Sequence, residues 1–166
     1  MQSRDIIILN MQMGNKMILP MLEDLKDAPL ERTLADRGNS AHWMLGHMLI
    51  SEAQMCRGFG LGQENPHEEW NQFFKGGTSA DPEGKGYPNY EELLQKYADE
   101  RAHTISVLQG LSDNDLESKP AILREGYEDF FPNKAAVFVL NANHPFMHYG
   151  QLADIRRRLG RDILMA

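Results

Sequence analysis

The chain has 166 residues, 42% of them hydrophobic and 25% charged, with a formal net charge of −7. That balance suits one globular domain over 1–166, and the negative charge argues against a nucleic-acid partner. One cysteine, Cys56, leaves no intrachain disulfide, which suits a reducing cytoplasm. No apolar run approaches the roughly 20 residues that cross a bilayer, and no secretory leader is visible. A soluble cytoplasmic protein without a membrane partner is the expectation.

Hydrophobic periodicity predicts four main helices. The first runs from about Ser3 to Leu25, on Ile6, Ile7, Leu9, Met13, Met17, Met21 and Leu22. Pro20 should kink it or end it early. The second runs from about Ser40 to Phe59, with Asn39 or Ser40 as N-cap and Gly58 and Gly60 as stop signals. The third runs from about Tyr90 to Leu111, opened by Pro88-Asn89 and closed near Gly110. The fourth runs from about Asn133 to Leu159 and stops at Gly160. Ala135 to Leu140 has the look of a short buried strand, but its helical continuation argues otherwise. Between helices two and three, residues 61–89 form a long crossover rich in Gly, Pro and Asp. Such loops are usually functional or mobile. This one carries Trp70, Phe73, Phe74 and Tyr87, enough apolar surface to pack down. The pattern predicts an all-α, four-helix bundle with one long crossover.

The chemistry concentrates on helix four. Val137, Asn141, His144, His148, Gln151 and Ile155 follow steps of 4, 3, 4, 3 and 4, one seam of a packed bundle. The seam is apolar at both ends and polar through its middle. Buried polar groups need partners, and a metal ion with supporting hydrogen bonds provides them. His144 and His148, four apart, share a face and can reach one ion. A third histidine on helix two completes a set that leaves coordination positions open, as working metal sites do. His42 and His47 lie roughly 140° apart on a helix turning about 100° per residue, so one ion does not take both. His47 is chosen because Gly46 beside it permits close helix approach. His42 is then a capping or core histidine, and His67 and His103 are surface residues, with His67 on a loop able to swing over the site. Pro145, inside the helix, frees the Asn141 carbonyl and bends the axis.

Other readings find less. There is no HExxH, no glycine-rich phosphate loop and no Gly-x-Ser-x-Gly, and the one Glu-x-x-His match, Glu64 to His67, lies in a loop. Cys56 reads as a buried, inert thiol. The cluster Arg156-Arg157-Arg158 with Arg161 reads as a helix C-terminus complement or a salt-bridged rim.

The motifs Trp43-Met44-Leu45-Gly46-His47 and His144-x-x-x-His148-x-Gly150-Gln151 resemble the DinB-like superfamily, which includes thiol S-transferases that use bacillithiol or mycothiol. The entry to helix three, Pro88-Asn89-Tyr90-Glu91-Glu92-Leu93-Leu94, and the closing Asp154-Ile155-Arg156-Arg157-Arg158-Leu159-Gly160 fit as well. The resemblance implies an up-down-down-up bundle, often dimeric, with nickel or zinc held by His47, His144 and His148. Many relatives carry His-Arg-Gly-Gln at the second motif; this chain has Tyr149 in the arginine's place.

The functional expectation is a metal-dependent enzyme acting on a small molecule, with a low-molecular-weight thiol as co-substrate. Gln151, Tyr149 and Asn141 are the candidates for orienting ligand or water. A metal-dependent hydrolase needs the same features. The alternative outside catalysis is a stress-linked metal-binding or interaction module. A homodimer is expected from the resemblance and from the ten methionines.

Overall fold

The computed structural model describes residues 2–30, 38–123 and 125–164, and these are helical with no strand among them. α1 is Ser3–Asp24, α2 Ala41–Ala53, α3 Asn71–Phe74, α4 Tyr90–Gly110, α5 Asp113–Glu117 and α6 Lys134–Arg158. The chain segment from 31 to 37, in the connection between the first two helices, lies outside the described residues.

The caps explain most boundaries. Ser40 Oγ accepts from Trp43 N, Asn89 Oδ1 from Glu91 N and Glu92 N, and Asn133 Oδ1 from Ala136 N. At the far end of α6, Gly160 (φ 69°) turns left-handed, with Gly160 N donating to Arg157 O and Arg161 N to Arg156 O. That pair of bonds is a Schellman ending. The small α5 is opened by Ser112 and Asp115 capping each other's backbone N–H.

One expectation about the helices is corrected and two are refined. α1 continues through Pro20 to Asp24. Pro20 is exposed, so the Lys16 carbonyl it deprives of a partner lies where water can reach it. The apolar set of α1 also splits: Ile7, Met11, Gly14, Ile18, Met21 and Leu22 are buried, whereas Ile6, Leu9 and Met13 are about half exposed. Finally, Gly58 and Gly60 do not stop helix two. Its α-helical part gives way at Gln54 to π-helical turns that run to Leu61, and the stop is Gly62 (φ 71°). Gly60 sits in those turns against the Phe138 ring.

The four long helices pack in a ring. α1 lies against α4 and α6, and α2 against the same two. Asn10 pairs with Asn143 and Asp24 with Arg156 between α1 and α6. Tyr90 Oη donates to Leu22 O, and Arg4 reaches Leu111 O, between α1 and the ends of α4. The main core joins Ile18, Met21, Leu22 and Leu25 of the first helix and its end to Met44, Leu45, Met48 and Leu49 of α2, with Phe74, Leu93, Tyr97, Leu152 and Ile155. A second cluster, with Ile7, Met11, Cys56, Leu108, Phe138 and Ala142, fills the other end.

The crossover packs down as its aromatics foretold. Phe74 is fully buried in the main core, with Trp70, Phe73 and Tyr87 against it. The arginine cluster is a salt-bridged rim: Arg156 and Arg161 hold Asp24, Arg161 also holds Asp27, and Arg157 and Arg158 hold Asp154. No helix among the described residues is long and apolar enough to cross a membrane.

Gly46 permits a close approach, and the element that approaches is the short α3 through Phe74: a Cβ at position 46 meets the Phe74 ring at 2.5 Å. Gly46→Ala is therefore expected to cost about 1–3 kcal/mol as the ring is forced out. Urea unfolding checks this, with Gly110→Ala, where a Cβ meets nothing within 4 Å, as the unaffected control.

Candidate metal centre

The structure brings His47, His144 and His148 together. One ring nitrogen from each lies within 4.8 Å of the others. The rings meet edge to face, with centroids 5.2 Å apart for His47 and His144, 5.1 Å for His47 and His148, and 4.7 Å for the α6 pair.

Each ring is oriented by a neighbour. His47 Nδ1 is 2.8 Å from Phe74 O. A carbonyl only accepts, so His47 carries its proton on Nδ1 and turns a bare Nε2 to the cluster. Trp43 stacks on the His47 ring at 4.9 Å, and its indole N–H donates to Phe73 O and Thr78 Oγ1. The end of α3 and the residues just after it thus hold both the histidine and the aromatic plate beside it. His148 Nδ1 is 2.9 Å from Gln151 Oε1, which fixes the same tautomer. His148 Nε2 then faces His144 Nε2 at 3.1 Å. Two ligands about 2.0–2.1 Å from one ion, at tetrahedral to octahedral angles, stand about 2.9–3.4 Å apart. Lone pairs aimed at one another repel unless a proton or a cation sits between them, so the donor set fits a bound cation.

Electrostatics keeps these rings neutral. Burial lowers the His144 pKa to about 3, helped by His148, His47 and Arg101. Burial also lowers His47 and His148, against the hydrogen bonds to Phe74 and Gln151 that favour their charged forms. Neutral imidazole is the form that binds metal.

The remaining candidates separate. Gln151 is exposed and holds His148. Tyr149 is half-buried and packs on the main core. Asn141 is fully buried beside Glu52. His42 is a core histidine, hydrogen-bonded to Pro88 O and edge-on to Tyr87 and Tyr90.

His67 is not a surface residue. It is 8% exposed, stacked on Trp70, with Nε2 3.4 Å from Glu100 Oε1 on α4. It pins the crossover to that helix instead of swinging over the cluster. Burial works to raise the Glu100 carboxyl, but His67 and Arg57 outweigh it and bring it down to about 2. His103 is half-buried, not on the open surface. Periodicity also gave no sign of Glu52 and Arg101, each 1% exposed and paired at 2.7 Å. The available signal was their place among apolar neighbours on α2 and α4.

The fold and the cluster define a class: an all-helical protein whose three converging histidines can hold a metal ion. The chain belongs to the DinB superfamily, whose family model matches residues 12–152. No curated protein matches it.

In the metal-free protein, the depressed histidines set a pH dependence. Their folded pKa values lie below the unfolded value of 6.5, so the unfolded chain binds more protons in the window between. Stability is full above pH 6.5 and falls on acidification toward the folded values, by up to about 1.4 kcal/mol per pH unit for each proton. Urea midpoints measured from pH 7.5 to pH 4.5 check this, and His144→Gln flattens the slope.

Proposed function

We propose that this chain is a metal-dependent enzyme, a thiol S-transferase that joins a low-molecular-weight thiol to an electrophilic small molecule. The observation that carries the reading is the convergence of His47, His144 and His148, two of them with Nδ1 engaged so that a bare Nε2 faces inward. The three histidines are the proposed ligands of a divalent ion, nickel or zinc. A bound ion supplies Lewis acidity that lowers the pKa of a coordinated thiol or, in the hydrolytic alternative, of water.

The chain's own residues do the rest. Phe74 O and Gln151 Oε1 hold two of the ligand rings. Trp43 covers one face of His47 and restricts access from that side. Gln151, exposed beside His148, is placed to orient a polar group of the substrate, and Tyr149 stands where many relatives carry arginine.

The same reading takes the chain as one domain of the cytoplasm, with its long helices running up, down, down and up. The paired positions between α1 and α6, rising together along both helices, support that order. A homodimer completes the reading. Ile6, Leu9 and Met13 on α1, with Val139 and Met147 on α6, leave an exposed apolar face on two helices that pack together.

The first test is elemental analysis of untagged wild type beside His47→Ala, each checked by circular dichroism. About one equivalent of nickel or zinc in wild type, lost in a folded variant, is expected. No metal in either protein after reloading sinks the reading. His148→Ala then separates enzyme from structural site: turnover is expected to vanish while most of the fold remains, whereas a large loss of thermal stability points to a structural ion. For the dimer, light scattering is expected to give twice the chain mass for wild type and the single mass for Leu9→Lys with Met13→Lys.

A further inference from the structure

Two prolines stand inside long helices, and they sit differently. Pro20 is exposed, whereas Pro145 is buried in α6 between His144 and His148. A helical proline has no N–H for the carbonyl four residues back. For Pro145 that carbonyl is on Asn141, which is fully buried, so water does not serve as its partner.

The missing donor comes from another helix. Arg101 Nη2, on α4, lies 3.2 Å from Asn141 O. The same nitrogen lies 2.7 Å from Glu52 Oε2 on α2, and Thr104 Oγ1 donates to Glu52 Oε1 at 2.6 Å. Arg101, Glu52 and Thr104 are each 1% exposed or less. A buried ion pair is weak evidence of stabilisation, since apolar residues of similar volume often serve as well. An apolar pair, however, has no hydrogen to give to a carbonyl. The arginine therefore does something at this position that an ordinary core residue does not.

We propose that Arg101, anchored by Glu52, is a positioning residue for the His144 and His148 pair: it replaces the backbone hydrogen bond that Pro145 removes and so fixes the course of α6 between them. It acts through the Asn141 backbone and touches neither ion nor substrate. The inference rests on the metal reading only for its consequence, since the bond itself is independent of any ion.

A cycle of Arg101→Lys and Pro145→Ala tests it. Lysine keeps a charge opposite Glu52, but its shorter side chain does not carry the ammonium to the point where Nη2 meets both carboxylate and carbonyl. Alanine at 145 restores the backbone N–H, making the arginine redundant. In metal-free protein, Arg101→Lys is expected to lower the urea midpoint less in the Pro145→Ala background than in wild type. An equal drop in both backgrounds overturns the proposal. Zinc titrated alone, against a competing chromogenic chelator, reads the consequence. Arg101→Lys is expected to bind zinc about tenfold more weakly or worse, with recovery to within about threefold of wild type on adding Pro145→Ala. Unchanged affinity in Arg101→Lys, or no recovery in a folded double variant, overturns it. If Arg101→Lys does not fold, Arg101→Met with Glu52→Leu removes the stranded carboxylate and carries the same expectations. A wild type that takes up neither zinc nor nickel sinks the metal reading, while the urea cycle still decides the role of Arg101.

Discussion

The site depends on the contact between Phe74 and Gly46. The Phe74 ring occupies the volume a side chain at 46 needs, and its backbone carbonyl orients His47 one residue further on. Burial of one aromatic ring thus does two jobs: it seals the crossover onto α2, and it holds a histidine proton on the outer nitrogen. Thr78 and the Phe73 carbonyl extend the arrangement by holding the Trp43 indole. The crossover is part of the site's frame rather than a cover laid over it. His67, against Glu100, fastens the same crossover to α4 at a second point.

The helices were legible because their signals are local. Ser40, one of the two expected N-caps, caps α2, Asn89 and Asn133 cap the helices read as starting beside them, and Gly160 ends α6 in the left-handed turn expected of it. The histidine cluster was legible because spacing on one helix and a glycine beside a histidine on another are sequence features. What escaped depends on partners far away in the chain. Pro20 passes through α1 because that side of the helix meets water. Gly58 and Gly60 fail as stops because π-helical turns carry the chain past them against Phe138. Gly46 was singled out correctly, but the short crossover helix that brings the Phe74 ring against it was not among those read from the sequence. His67 and Arg101 carry charge-capable groups that sequence alone assigns to the surface, and only Glu100 and Glu52 make their burial tolerable.

The polar seam of α6 changes character along its length. Asn141 is fully buried, His144 and His148 partly so, and Gln151 is exposed. The helix therefore carries a graded path from core to solvent, with the histidines at the transition. The proposed metal ligands, at such a depth, stay neutral through partial desolvation yet remain within reach of a small molecule. A cluster set deeper excludes substrate, and one set further out loses the pKa depression that keeps protons from competing for the nitrogens.

Cys56, in the π-helical turns, is fully buried, and burial raises its thiol pKa to about 11. At neutral pH only about one molecule in ten thousand carries it as the thiolate, the form that attacks electrophiles. A protein that brings reactive carbon compounds together with a soluble thiol runs the hazard of alkylating itself. Here the sole cysteine is both shielded and held protonated, so an electrophile handled by the proposed site meets no competing nucleophile of that kind. The chain is armoured against suicide inactivation by the chemistry proposed for it.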